Sequence, residues 1–218
     1  MLLSGGLDSA TTLYYALDKG FSCTCLSFDY GQRHRREIAC AGRIARRAGC
    51  RWRLVRVAFP WKGSALLEKR GELPRKRTRG IPRTYVPGRN IIFLSYALSC
   101  AEAVSAGAVF IGAHSQDYSG YPDCRPEFIR AFESMARQGT RCGTQGRPIR
   151  IVSPLLHDTK ADIIVRAVRL KVPLDLTWSC YRGGRRACGS CDSCRYRAKG
   201  FQEAGITDPG RRYAGKSS

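Results

Sequence analysis

Four cysteines near the end of the chain and a glycine-rich turn near its start are the residues whose types and spacing bear most directly on chemistry. In "SCYRGGRRACGSCDSC", Cys180, Cys188, Cys191 and Cys194 are separated by seven, two and two residues. Two-residue gaps let neighbouring thiolates converge on one ion, and four sulfur ligands suit tetrahedral Zn2+. Iron accepts the same four ligands, while Cys-x-x-Cys redox chemistry and unrelated free thiols are the competing readings. A closed four-sulfur site leaves no open coordination position, so it is expected to be structural and to fold a C-terminal lobe. Arg182, Arg185, Arg186, Arg195, Arg197 and Lys199 surround it and would offset the charge of a tetrathiolate.

The turn is "SGGLDS", in which Ser4, Gly5, Gly6, Asp8 and Ser9 stand where a first strand meets a first helix. A helix N-terminus offers unpaired N–H groups and partial positive charge, and glycines let the backbone approach phosphate oxygens. The turn lacks the Lys of the "GxxxxGK[ST]" loop and the third Gly of a dinucleotide turn, so neither of those motifs fits. Asp8 would repel bare phosphate. It is favoured there if Mg2+ bridges the two, since magnesium takes oxygens from one or two carboxylates and from phosphates.

The elements that must hold these groups alternate between helical and extended periodicity. Ala10, Leu13, Tyr14 and Leu17 recur at helical spacing, "FSCTCLSFDY" reads as a strand, and Ile38, Ala41, Ile44, Ala45 and Ala48 fit a helix stopped by Gly49. "RWRLVRVAF" alternates as a strand does. From Pro60 to Arg89 the chain is rich in Pro, Gly and Arg, and so long a connection suggests a lid. "NIIFLSYALSCAEAVSAG" then predicts a helix, "AVFIGAH" a buried strand, "RPEFIRAFESMARQG" a helix opened by Pro126, and "IRIVSPLL" another strand. "DTKADIIVRAVRLK" predicts a helix with Asp158 as its N-cap. This order implies a parallel sheet covered on both faces, with ligands at the carboxyl ends of its strands. Only Leu2 and Leu3 precede the turn, too short a lead to predict the strand that should anchor it.

The chain has 218 residues, 43% of them hydrophobic, which suits one domain with a real core and a small appendage. No apolar run reaches the ~18 residues of a membrane span, and "MLLSGG" lacks the features of a signal peptide, so a cytoplasmic location is expected. There, 11 Cys point to metal or redox chemistry rather than structural disulfides. A formal charge of +21 favours polyanionic partners, with an Arg-rich but solvated surface as the plainer alternative.

"SGGLDS" resembles the PP-loop of ATP pyrophosphatases, which split ATP between its α and β phosphates to adenylate a substrate. "FDYGQRHRREI" (Phe28 to Ile38), "VPGRNIIFL" (Val86 to Leu94), "DYSGYPDCRPEFI" (Asp117 to Ile129) and the cysteine motif extend the likeness over nearly the whole chain. Together they resemble the QueC family of 7-cyano-7-deazaguanine synthases. The resemblance implies an α/β, parallel-sheet, Rossmann-like (PP-loop/HUP-type) three-layer domain over residues 1–176, with a small zinc-binding lobe over 177–218. It implies one structural Zn2+ per chain, ATP as co-substrate and a homodimer. The reaction implied converts 7-carboxy-7-deazaguanine and ammonia to the 7-cyano base; a membrane partner is not expected, and nucleic acid is a lesser candidate.

On that basis the stretch Leu3, Ser4, Gly5, Gly6, Leu7, Asp8, Ser9, Ala10, Thr11, Thr12 and Leu13 is assigned to ATP, with Asp8 also on Mg2+. Asp8 and Lys160 are the catalytic candidates, Lys160 as a second phosphate contact, with an ordinary exposed first-turn lysine as its alternative. Arg89 and Asn90, after a Pro-Gly turn, suit nucleotide contact or plain capping. A planar purine analogue needs acidic acceptors and aromatic faces, which makes Asp117, Tyr118, Tyr121 and Asp123 substrate candidates. His34 suits phosphate contact or proton transfer as well as a solvated helix face, while His114 and His157 carry no assignable role. Three other functions fit parts of the pattern: a tRNA-modifying PP-loop enzyme, a relative that attaches a deazaguanine to a protein, and a zinc-ribbon nucleic-acid binding module.

Overall fold

The structure is a computed structural model that describes residues 1–32, 35–61, 64–67, 81–114, 121–182 and 184–210. Its helices and strands alternate as the apolar spacing predicts. In order they are α1 (Leu7–Asp18), β1 (Thr24–Asp29), α2 (Arg36–Arg47), β2 (Arg51–Arg56), α3 (Arg89–Ala103), β3 (Ala108–Phe110), α4 (Pro126–Gly139), a short α5 (Arg141–Thr144), β4 (Arg150–Val152), α6 (Lys160–Arg169) and α7 (Asp192–Glu203).

The strands pair in parallel, β1 with β2 from Thr24↔Arg51 to Asp29↔Arg56, and β3 with β4 from Ala108↔Arg150 to Phe110↔Val152. Leu2 and Leu3 join the two pairs. The Leu3 N–H donates to the Leu26 carbonyl at 2.8 Å, the Leu26 N–H to the Met1 carbonyl at 2.8 Å, and the Leu2 N–H to the Phe110 carbonyl at 3.0 Å. Three residues therefore occupy the centre, giving the order β2, β1, Met1–Leu3, β3, β4. A stub suffices here because its hydrogen-bonding groups are satisfied from both sides, a fact that periodicity along the chain does not carry.

Alternation along the strands builds two core layers. Cys25 and Phe110 face one layer with Leu13, Ile44, Ile163 and Ile164 from α1, α2 and α6, and α7 adds Phe201 to it. Leu26, Phe28, Val109 and Ile111 face the other, with Leu94 and Leu98 from α3 and Ile129 and Phe132 from α4. The chain is thus a three-layer α/β fold.

Three local expectations are corrected. Cover on both faces fails at β2, an edge strand on which Trp52 and Leu54 remain 37% and 39% exposed; Arg51, Arg53 and Arg56 along it blunt that edge. The strand expected over "AVFIGAH" pairs only over β3, because the chain beyond it turns under the start of α1. A Cβ at Gly112 would stand 3.0 Å from the Ser9 nitrogen and 3.1 Å from the Asp8 carbonyl carbon, so any larger residue would press on the backbone that opens α1. Thr159 and not Asp158 caps α6: its Oγ1 accepts the Asp162 N–H at 3.2 Å while Asp162 Oδ2 accepts the Thr159 N–H at 2.9 Å. This reciprocal capping box displaces Asp158, which instead accepts from Arg166 at 2.9 Å.

Of the Pro60–Arg89 connection, residues 62–63 and 68–80 lie outside the described residues, and the lid expectation falls mainly on them. Ala65 and Leu66, which are described, are buried beside Leu94. Among the described residues, no helix is long and apolar enough to cross a membrane.

Candidate active site and candidate metal centre

The glycine-rich turn lies at the carboxyl end of the sheet, as an α/β topology requires of a ligand site. Ser4 and Ser9 clamp it: their Oγ atoms are 3.0 Å apart, and the Gly6 N–H donates to Ser4 Oγ at 3.2 Å. Gly5 has φ of 88°, and a Cβ there would overlap the Glu37 carbonyl on α2. The N–H groups of Leu7, Asp8 and Ser9 open α1 with no carbonyl a turn behind them, so they and the helix dipole face the cavity. Thr11 and Thr12 bond back to the Leu7 and Asp8 carbonyls, and Leu3, Ala10 and Leu13 are core residues. Within the predicted ATP stretch, then, the first half faces the site and the second half anchors it.

Asp8 meets a residue 152 positions away. Lys160 Nζ donates to Asp8 Oδ1 at 2.6 Å and lies 3.0 Å from His114 Nε2, which is itself 3.5 Å from Asp8 Oδ2. Lys160 is buried, which removes the reading of an ordinary exposed first-turn lysine. An ammonium has no lone pair, so His114 Nε2 must accept and its proton sits on Nδ1. Burial alone would raise the Asp8 pKa; the Lys160 ammonium, hydrogen-bonded to the carboxylate, leads the groups that overcome it and hold the carboxyl well below the usual carboxylate range. The Asp8 side chain keeps 28% exposure, on the side open to solvent. The sequence reading missed His114, although it ends the stretch that follows β3, where an α/β fold gathers ligand groups.

Two cavities share the turn. The first, about 270 Å3, runs along the end of β1 past Ser27, Phe28 and Tyr30 to Arg89 and Asn90 at the start of α3. Phe28 and Phe93 stack there with centroids 4.0 Å apart, and burial pushes the Tyr30 phenol up to about 12, against the pull of Arg89. The second, about 230 Å3, runs from the turn past Lys160 and His114 to Trp178, Asp192, Ser193 and Tyr196. Ser4, Gly6, Asp8, Glu37, Tyr121 and Tyr181 line both.

The structure brings the predicted residues together unevenly. Tyr121 stands between the cavities, its hydroxyl 2.8 Å from Thr84 Oγ1. Asp123 lines neither of these two cavities. Its Oδ2 caps α3 by accepting the Asn90 N–H at 3.0 Å, while Asn90 Nδ2 donates to the Asp123 carbonyl at 3.3 Å; Oδ1 is buried and has no hydrogen-bond partner among the described residues. Asp117, Tyr118 and His34 lie outside the described residues.

The four predicted cysteines converge, their Sγ atoms all within 4.8 Å of one another. Thiolates bound to one tetrahedral ion at 2.3 Å stand about 3.8 Å apart, so this donor set fits a zinc-sized metal. Backbone N–H groups of Cys188 and Arg182 donate to Cys180 Sγ at 3.3 and 3.4 Å, and that of Cys191 to Cys188 Sγ at 3.3 Å. Such donors favour the thiolate form that a metal needs. Trp178, which the sequence reading passed over, ties this centre to the turn. Its N–H donates to the Gly5 carbonyl at 2.9 Å, its Nε1 to the Cys180 carbonyl at 2.9 Å, and the Arg36 guanidinium lies 4.2 Å above its ring while bonding the Gly184 and Arg185 carbonyls.

The family model described as "Queuosine biosynthesis protein QueC" matches residues 1–205. A 7-cyano-7-deazaguanine synthase of Trichormus variabilis is 51% identical over 217 residues, covering 96% of this chain and 95% of the relative. One from Pseudomonas fluorescens is 51% identical over 215 residues, covering 97% of this chain and 96% of the relative. Among solved structures, NMN synthetase from Francisella tularensis superposes with a TM-score of 0.52 at 14% identity, over 94% of this chain and 76% of that one. That last likeness speaks to the fold alone.

Proposed function

The chain belongs to the QueC family of queuosine biosynthesis proteins, and from that premise we propose that it is an ATP-dependent 7-cyano-7-deazaguanine synthase. The observation that carries the reading in this molecule is the junction itself: one glycine-rich turn, with Asp8 and Lys160 beside it, opens into two adjoining cavities. A reaction between the α-phosphate of ATP and a carboxylate needs that plan, with one cavity for each reactant and the reacting atoms at the shared wall.

The first cavity holds the adenosine and the second the 7-carboxy-7-deazaguanine. The substrate carboxylate attacks the α-phosphorus, releasing pyrophosphate and leaving an acyl adenylate. Ammonia displaces AMP to give the amide. The amide oxygen then attacks a second ATP in the same way, and loss of AMP and of both N–H protons leaves the nitrile, so each departing oxygen leaves on an AMP. The amides that open α1, with Ser4 and Ser9, hold the pyrophosphate, and Lys160 exchanges part of its hold on Asp8 for a phosphate oxygen. Asp8 is the ligand for Mg2+, which would supply charge neutralisation at the phosphates. His114, neutral at Nε2, keeps the Lys160 ammonium aimed at the junction. Cys180, Cys188, Cys191 and Cys194 hold a structural Zn2+ that keeps the C-terminal lobe against the turn. The enzyme works in the cytoplasm as a homodimer, which sedimentation tests.

Mass spectrometry of products from the 7-carboxy base, ATP and ammonia tests the reaction. The 7-cyano base and AMP should appear together and only when all three are present. ATP cleavage that instead depends on tRNA or on a protein acceptor would replace this reading with one of the tRNA-modifying or protein-modifying functions.

A further inference from the structure

Three carboxylates line the second cavity: Asp8, Glu37 and Asp192. Asp8 is committed to Lys160 and His114. Glu37 lines both cavities and so stands at the junction, on the side where phosphates would lie. Asp192 lines the second cavity alone. It is half-buried in the first turn of α7, its carboxylate makes no hydrogen bond or ion pair with another described residue, and Trp178, Tyr181 and Tyr196 line the same cavity. The second cavity therefore combines the glycine-rich turn with a carboxylate acceptor that lies outside the first cavity.

The proposed substrate has matching ends. Its carboxylate is carried on the five-membered ring, and the opposite edge of the six-membered ring presents the ring N1–H and the exocyclic 2-amino group, two parallel donors. With the carboxylate at the turn, that donor edge points away from it. An ionised carboxylate is acceptor-only and takes two parallel N–H donors with its two oxygens, a charge-assisted pairing that fixes orientation. Tyrosine and tryptophan rings supply flat faces for a purine-like plane.

We infer that Asp192 is the specificity residue for the base: its carboxylate accepts the N1–H and 2-amino donors of the guanine-like edge and so directs the opposite carboxylate at the α-phosphate. The inference rests on the 7-carboxy-7-deazaguanine reading and assigns recognition of the base edge to the segment that carries the four cysteines. A carboxylate in the first turn of a helix is also favourable simply through the helix dipole, and the test must separate the two roles.

Asp192→Asn keeps the size, replaces one acceptor oxygen by a donor and removes the charge. With metal-loaded protein, steady-state rates are measured against the 7-carboxy base and against its analogue lacking the 2-amino group. Wild type should prefer the amino-bearing base; in Asp192→Asn its KM should rise at least about tenfold, that preference should shrink by a similar factor, and the KM for ATP should hold within about twofold. Metal content measured on the same samples guards against damage to the neighbouring Cys191 and Cys194, and Asp192→Glu, which keeps the charge, is the second variant should the first lose metal: it should retain the preference for the amino group. An active wild type whose variants show unchanged KM and unchanged preference overturns the role of Asp192 and leaves the reaction standing. A wild type that forms no AMP with either base overturns the reaction, and this inference with it.

Discussion

At the scale of single residues, the centre of the molecule is a carboxylate, an ammonium and an imidazole held within 3.5 Å of one another. A lysine buried beside an aspartate is held in one place, and that place is where two cavities meet. Asp8→Ala should lower base-dependent AMP formation by about a hundred- to thousandfold, with an unchanged circular dichroism spectrum. Normal turnover in that variant would remove Asp8 from the site. The pH dependence of stability offers an independent check. A carboxyl whose folded pKa is depressed stabilises the fold above its ordinary value of 3.8, and that stabilisation is lost as pH falls through the lower folded value. Lys160→Met removes the main cause of the depression. The stability difference between wild type and this variant, read by urea unfolding, should stay constant from neutral pH to about pH 5 and shrink below 3.8. A difference that persists undiminished in acid would mean that the Asp8 pair is not its source.

At the scale of elements, the glycine-rich turn is shaped by what packs on it. Gly5 takes a left-handed conformation under the Glu37 carbonyl, and its own carbonyl is held by the Trp178 N–H, while Trp178 Nε1 reaches the Cys180 carbonyl. The four-cysteine cluster and the glycine-rich turn are therefore joined through one residue, by its backbone on one side and its side chain on the other. Cys191→Ser, or removal of metal by a chelator, should loosen the lobe, shift the fluorescence of Trp178 and weaken ATP binding by about tenfold, since a disordered loop must be reordered at each binding event. Full metal content in Cys191→Ser, by elemental analysis, would defeat the tetrathiolate. The strand elements carry a different lesson. Leu2 and Leu3 show no periodicity of their own, yet they sit between β1 and β3 because their amides and carbonyls are taken up on both sides.

At the scale of the whole molecule, a buried ion pair braces the C-terminal segment internally, and its arginine reaches out through Nη2 to the Leu174 carbonyl at 3.2 Å. Arg197 donates to Asp208 through Nε at 2.7 Å and through Nη2 at 2.8 Å, and its Nη1 reaches Thr177 Oγ1 at 2.8 Å. Both side chains are over nine-tenths buried, at 8% and 4% exposure. Asp208→Ala leaves the guanidinium buried without its counter-charge and should cost about 3–5 kcal/mol, a fall in Tm of roughly 6–20 °C for a chain of this size. Because Arg197 also lines the second cavity, the variant should lose affinity for the base before it loses affinity for ATP. The fold class, the glycine-rich turn at a helix start and the four-cysteine cluster were all legible in the sequence. These features are local: apolar periods of two and 3.6 residues mark strands and helices, and ligand atoms a few positions apart need only short turns to converge. Only the tertiary structure decided that Lys160 and His114 meet Asp8, that three residues complete the sheet, that Asp123 caps a helix, and that Asp192 faces the second cavity. Those contacts join residues far apart along the chain, and they follow from parallel crossovers that stack distant segments at one edge of the sheet, a geometry no local spacing encodes.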